Sequence, residues 1–481
     1  MARVGGIDSS TSSTKVEVRD SDDGRLWGAG RRLHPATTPP RSEQDPQAWW
    51  GALVQAWHDA GRYDAEVISV AGQQHGLVVL DEEANVLRPA KLWNDTESAP
   101  DAAALVETLG AGGWAQGCGS VPVPAFTITK LAWLKRVEPD TFARIRHVLL
   151  PHDWLTWRLT GRLVTDRGDA SGTGYWSPRE GRWRTDLLRI VDDRADWQER
   201  LPTVLAPTEA AGPLSQDAAL PLNLDSASVV VAPGTGDNMA AALGAGLRPG
   251  DVLISIGTSG TVMCVSERPT ADPSGAVAGF ADATGRWLPL VCTLNATKVT
   301  DAMARVVGAA DHDAFDALAL SAPPGAGGVI CVPWFDGERT PNRPDASGTL
   351  LGLRSDAIPA QVARAAIEGV VCGLLEGLDA LRASVGGPTQ LGRLVLVGGG
   401  ARSGAYRQIL ADLAGQPVLT LAPDVEPVAL GACVQAAAVL HGCPPEDVAE
   451  AWAPARPSDA TEPSGYDPAE IRAAYRAATA G

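Results

Sequence analysis

Apolar and polar positions change period several times along this chain, and each change marks an element. Near the start, "RVGGI" and "KVEVRD" read as two strands joined by the polar run "DSSTSST", and "RLWGAG" follows after the turn "SDDG". Residues 47–60, "QAWWGALVQAWHDA", switch to helical period and set Trp50, Leu53, Val54 and Trp57 on one face. "EVISV" (66–70) and "LVVLD" return to strand, with the turn "AGQQHG" between them. "ESAPDAAALVETL" and "TKLAWLKRV" are helical, and "ASVVVAP" (227–233) is a further buried strand. Residues 176–226, rich in charge, Trp and Pro, read as loops and short elements of the same domain. Strands interleaved with helices predict the α/β class.

Past the middle the pattern restarts. "DVLISI", "GTSG" and "TVMCVS" repeat the order of "RVGGI", "DSSTSST" and "KVEV": apolar strand, Thr/Ser loop, apolar strand. One such hairpin in each half predicts a duplicated architecture. The break falls near Leu247–Pro249, where "GLRPGD" supplies turn residues. We therefore expect a first domain over 1–247, a second over 248–441 and a peripheral tail over 442–481. In the second half, "GVICVPWF" precedes a long helix with a stripe of Val362, Ala366, Val370, Leu374, Leu378 and Leu381. "RLVLV" then feeds "GGGARSG", and "PVLTL" and "PVALGACVQAAAVL" close the unit.

Composition narrows the function classes. A net charge of −17 without a basic patch argues against nucleic acid as a partner. No apolar run approaches the ~18 residues of a membrane span. "MARVGGIDSS" turns polar too early for a secretory signal. Seven cysteines, an odd number at positions 118, 264, 292, 331, 372, 433 and 443 with no C-x-x-C, predict reduced thiols in the cytoplasm and no zinc site.

Three polar or glycine-rich turns follow apolar strands: "DSSTSST" (8–14), "GTSG" (257–260) and "GGGARSG" (398–404). Glycine lets backbone N–H groups approach a phosphate, and Ser and Thr hydroxyls add donors. Their recurrence in both halves points to a phosphate or nucleotide ligand. The chain holds no G-x-x-x-x-G-K-[ST], no G-x-G-x-x-G opening a helix, no protein-kinase signature, no G-x-S-x-G and no H-E-x-x-H. Residues 234–246, "GTGDNMAAALGAG", place Asp237–Asn238 at the mouth of an alanine-rich helix. On local sequence alone, a helix cap and a functional acid are equal readings of Asp237.

The chain resembles the FGGY carbohydrate kinases of the actin-like ATPase superfamily. The landmarks run from "GIDSSTSSTK" through "VAGQQHG", "AKLWND", "LLPHDWLTWRLTG", "TDRGDASGT", "GTGDN", "SIGTSG", "FDGERTP", "IEGV" and "GGGARS" to "PVALGAC". Within the family they are most similar to the D-xylulose kinases. The resemblance implies two actin-like (ribonuclease H-like) ATPase domains with a cleft for sugar and MgATP. It also implies transfer of the γ-phosphoryl group to the terminal hydroxyl of D-xylulose. Kinases of the same family for ribulose, gluconate or glycerol are the alternative, and an actin-like ATPase without sugar chemistry is a more distant one. A homodimer stays open as the assembly.

The same resemblance implies a role for each matched residue. Asp237 accepts the proton of the attacking hydroxyl, and Asn238 contacts the sugar. Since phosphoryl transfer is loose, positioning matters more than base strength, so a helix N-terminus that weakens the carboxylate as a base is tolerated. Asp8 holds Mg²⁺ on the ATP phosphates, directly or through water, while Thr11, Ser12 and Ser13 donate to the phosphates. Gln74, His75, Trp93, Asn94 and Asp95 line the sugar site. Gly257, Thr258 and Ser259 form the second phosphate turn, and Gly399, Gly400 and Ser403 face the adenosine. The chain departs from the family at Ser10, where Gly is usual, at Glu97, where many relatives carry Arg, and at Gly404, where a glycerol kinase pattern has Asn. Ser10 is less free to take positive φ, and Glu97 reverses a charge at the sugar end.

Overall fold

The computed structural model describes residues 2–61, 63–386, 392–453, 456 and 458–480. The chain divides into two compact units. The first comprises Met1–Gly246, Glu267–Leu288 and Val425–Arg456, and the second Leu247–Ser266, Pro289–Asp424 and Pro457–Gly481.

The first unit is built on the strand Arg3–Ser9, which lies antiparallel to Ser13–Asp20 and parallel to Val67–Gly72. Leu26–Leu33 extends the sheet beyond Ser13–Asp20, and Val230–Val231 and Thr235–Gly236 pair with Val67–Gly72 on the other side. The paired glycines of "RVGGI" now have a reason. Successive residues of a strand face opposite sides of the sheet. A Cβ on Gly5 would stand 2.7 Å from the Trp57 ring, and one on Gly6 would fall on the carbonyl oxygen of Ala429. Each face of the central strand thus accepts a helix at close range, Pro46–Asp59 on one side and Pro427–His441 on the other.

Helix Pro46–Asp59 buries Trp49, Ala52, Leu53, Ala56 and Trp57. The apolar face is therefore rotated from the expected one: Trp49 enters the core and Trp50 and Val54 are half-buried. The Trp49 indole N–H donates to Gln44 Oε1 at 2.7 Å, which gives it a polar partner inside the core. The region 176–226 folds as expected into short pieces, among them helices Thr185–Val191 and Gln216–Leu222.

In the second unit, Val252–Ile256 lies antiparallel to Gly260–Cys264 and parallel to Leu394–Val397. That is the pairing of the first unit's hairpin, so the repeat read from the sequence is repeated in the topology. Val418–Leu421 and Ser458–Thr461 continue the sheet, and Trp287–Thr293 pairs with Gly260–Cys264. Helix Pro359–Ser384 buries far more than the expected stripe, including Ala363, Ile367, Val371 and Leu375. Val362 is only half-buried.

Helix Pro427–His441 follows strand Val418–Leu421 of the second unit in sequence yet belongs to the first unit. It crosses helix Asp237–Gly244 through two glycines. A Cβ on Gly431 would fall on the carbonyl oxygen of Ala240, and one on Gly244 on that of Pro427. Gly431→Ala is expected to force the two helices apart, costing about 1–3 kcal/mol and lowering activity because Asp237 rides on the displaced helix. Urea unfolding alongside kcat tests this; a variant with parental values of both would refute it.

Candidate active site

Asp237 is the first residue of helix Asp237–Gly244, and Gly236 stands at the cap position in extended conformation. The Asp237 carboxylate does not cap that helix in the usual way. Its Oδ1 accepts from the Asn238 backbone N–H at 2.8 Å and from Asn238 Nδ2 at 3.1 Å. Asn238 Nδ2 also donates to Gln74 Oε1 at 2.8 Å, so Gln74, Asp237 and Asn238 form one polar group. Gly236 makes room for it: a Cβ there would lie 2.7 Å from Gln74 Cγ.

The half-buried Asp237 carboxyl is pushed up to about 8 by removal from water, and then by the negative charges of Asp8 and Asp169. The helix N-terminus therefore does not make it the weak base expected from the sequence. Loss of solvation and two neighbouring acids outweigh a dipole effect confined to the first turn.

Asp8 lies near the end of the strand Arg3–Ser9 and is 2 % exposed. Burial raises its carboxyl to about 6, against the pull of Lys15, whose Nζ is 3.5 Å from Oδ2. Asp8 Oδ1 and the hydroxyls of Ser9 and Ser13 have no hydrogen-bond partner among the described residues. A buried oxygen without a donor costs free energy unless a ligand satisfies it, and the unpartnered oxygen of the Asp8 carboxylate suits a hard cation such as Mg²⁺.

The loop between the first two strands closes without the geometry that Ser10 would resist. Ser10 is not among the non-glycine residues at positive φ, and its N–H and hydroxyl both donate to Ser13 O, at 3.1 and 3.0 Å. The Thr11 hydroxyl donates to Gln73 Oε1 at 3.1 Å and accepts from the Trp93 indole at 2.8 Å. Thr11 thus ties the loop to the "KLWND" segment. Ser12 stands exposed at the loop tip.

His75 sits at φ +67, and its Nδ1 lies 2.7 Å from the carbonyl of Gly172. Its ring packs 5.0 Å from Phe126 and 5.5 Å from Phe280, a predominantly apolar wall. Asn94 is half-buried, and its Oδ1 is without a partner among the described residues. Asp95, by contrast, is fully buried and occupied: it accepts from Ser42 N at 2.9 Å and from Lys91 Nζ at 2.8 Å. Lys91 also pairs with Glu97 at 2.6 Å and Glu43 at 3.3 Å, and lies 3.9 Å over the Trp133 ring. The charge of Glu97 is therefore answered by a lysine six residues earlier.

In the second unit, Gly257 N donates to Ser259 O at 3.0 Å, closing the turn that presents exposed Thr258 and half-buried Ser259. Gly399 is exposed with nothing within 4 Å of an added Cβ, while Gly400 is held against Ile256. Ser403 is engaged within its own unit: its hydroxyl caps helix Gly404–Ala414 through Tyr406 N at 3.0 Å and donates to Asp316 at 2.8 Å.

The profile of the N-terminal domain of the FGGY family of carbohydrate kinases matches residues 3–244, and that of its C-terminal domain matches residues 252–440. The chain belongs to the FGGY family of carbohydrate kinases. It is 46% identical over 453 residues to the xylulose kinase of Streptomyces rubiginosus, covering 93% of this chain and 90% of that one. To the xylulose kinase of Streptomyces coelicolor it is 46% identical over 454 residues, covering 93% of this chain and 90% of that one. The crystal structure of xylulose kinase from Bifidobacterium adolescentis superposes with a TM-score of 0.87 at 40% identity, covering 99% of each chain. The fold is the mixed α/β two-domain fold of FGGY kinases, and the enzyme is a phosphotransferase with a sugar hydroxyl as acceptor. Among the described residues, no single helix is long and apolar enough to cross a membrane.

Sequence reasoning assigned this kinase no role for Lys91, Gln73 or the buried set His152, Asp153, Asp166 and Asp169. The last four lie in two of the matched landmarks, "LLPHDWLTWRLTG" and "TDRGDASGT". A histidine and three acids within two of the matched stretches were the available signal.

Proposed function

We propose that this FGGY kinase transfers the γ-phosphoryl group of ATP to the terminal hydroxyl of D-xylulose, with Asp237 as the base. Similarity to xylulose kinases over nine-tenths of the chain supports the substrate. The observation that carries the base is the carboxyl of Asp237 itself, with its raised proton affinity, Asn238 and Gln74 bonded beside it, and a free face in a half-buried setting. As the sugar oxygen forms its bond to phosphorus, the hydroxyl proton passes to Asp237, and the bond to the leaving ADP breaks. Gln74, Asn238 and Asn94 are the hydroxyl-binding side chains of this reading, with His75 and Trp93 as walls. Asp95 acts behind them by fixing the segment through Lys91.

Asp8 is the residue that would hold Mg²⁺, directly or through water, and the ion when bound would neutralise phosphate charge. Ser12, Ser13, Gly257, Thr258 and Ser259 are proposed as phosphate donors, and Gly399 and Gly400 as the open backbone for the nucleoside. All seven cysteines are free and six are buried, which supports a reducing, cytoplasmic setting.

ADP release across a panel of D-xylulose, D- and L-ribulose, gluconate and glycerol tests the substrate. We expect kcat/KM for D-xylulose to exceed each of the others by about two orders of magnitude or more, because a site built on hydroxyl hydrogen bonds rejects analogues that leave its partners unpaired. A higher value for any other member would reassign the acceptor.

A further inference from the structure

Behind Asp237 lies a charged group that the proposed chemistry leaves unused. His152, fully buried on helix Pro151–Thr160, has Nδ1 2.6 Å from Asp169 Oδ2 and 3.3 Å from Asp153 Oδ1. Its Nε2 stands 4.0 Å from Asp166 Oδ1 and makes no hydrogen bond among the described residues. The three carboxylates come from different elements: Asp153 from the histidine's own helix, Asp166 from strand Val164–Asp166 and Asp169 from helix Arg167–Ala170. Burial opposes a charge on the ring, yet the facing acids hold its proton up to about 9. Burial, and then the negative charges of Asp153 and Asp169, raise the proton affinity of the Tyr175 phenol.

This group touches the turn that delivers Asp237. Asp166 Oδ2 accepts from the Thr235 hydroxyl at 2.8 Å, two residues before Asp237, and from Gly168 N at 2.8 Å. Gly234, at φ +78, packs directly on the imidazole: a Cβ there would lie 2.7 Å from His152 Cδ2 and 2.6 Å from Val70 O. Gly72, opposite Gly236 in the sheet, is likewise closed by His152, whose Cβ would be 2.7 Å from an added one. The strand end Thr235–Gly236 is only two residues long, too short a ladder to fix a turn by itself.

We propose that His152 is a positioning residue, an imidazolium locked by Asp153, Asp166 and Asp169 that clamps the turn Gly234–Asp237 through Gly234 packing and the Thr235–Asp166 bond, and so sets the aim of Asp237. The inference rests on Asp237 as the base. Removing the imidazole leaves three buried acids facing one another without their shared partner, whereas removing the Thr235 hydroxyl cuts the link to the turn and leaves the His152 group itself in place.

The test combines kinetics with a spectroscopic readout. Thr235→Val is expected to lower kcat about ten- to a hundredfold, the cost of a misplaced reacting group, with the KM for ATP unchanged and Thr235→Ser restoring most of the loss. His152→Gln is expected to do the same where it folds. In ¹⁵N NMR of the parent enzyme, His152 should show both ring nitrogens protonated from pH 6 to about 8. A Thr235→Val enzyme with parental kcat, or a neutral His152 ring at pH 7, would overturn the clamp. Full turnover in an Asp237→Asn enzyme would instead remove the base, a distinct result.

Discussion

Asp237→Asn is expected to reduce kcat about a thousandfold or more, within the range of a lost general base, while ATP binding measured by calorimetry persists. The same substitution should alter stability in the opposite direction. The folded state raises this carboxyl from 3.8 to about 8, so folding favours its neutral form. Stability linked to Asp237 is fully present below the ordinary carboxylate range and is lost as pH rises through about 8. An uncharged amide escapes that loss. The variant should therefore melt higher than the parent at pH 9 and close to it at pH 4. The parent's kcat/KM for sugar should rise with pH toward the Asp237 value, and the residual rate of the variant should lack that limb. A variant that kept its turnover, or that melted lower than the parent at pH 9, would contradict this account.

Lys91→Met is expected to produce the largest stability change. Lys91 and Asp95 are both fully buried, and Glu97 and Glu43 complete the group around the ammonium. Removing one partner of a buried ion pair leaves an uncompensated charge and costs about 3–5 kcal/mol. Methionine keeps most of the side-chain volume, so the loss would report charge and not a cavity. Adding Asp95→Asn should recover part of it, since the buried acid is then neutral. The recovery would appear as a positive coupling energy in a double-mutant cycle by urea unfolding. Because Lys91 and Asp95 bracket Trp93 and Asn94, the single variant should also raise the KM for sugar more than that for ATP. A single variant as stable as the parent would show that the cluster is solvated and not a buried pair.

Much of the candidate site is legible in the sequence because its parts are local. Asp8 in a polar loop after an apolar strand, Gln74–His75 in a turn between strands, and Asp237–Asn238 at a helix mouth are each marked by a polar pair where the apolar pattern stops. What stayed hidden depends on partners far along the chain. Glu97 reads as a reversed charge at the sugar end until Lys91 is seen to neutralise it. Thr11 and Ser403 read as ligand donors, yet their hydroxyls are engaged by Gln73 and Asp316. Trp49 and Trp50 are adjacent, and helical periodicity set Trp50 on the core face where the structure buries Trp49.

The sequence by itself determined the α/β class, the repeated hairpin, the family and the residue types at each turn, because these follow from short-range periodicity and from motifs a few residues long. Tertiary structure alone decided that helix Pro427–His441 returns to the first unit, since a helix buried on every side carries no stripe to indicate its partner. It alone decided the proton affinity of Asp237 and the buried quartet around His152, because solvation and Coulomb energy depend on distances between groups that the chain brings together from separate segments.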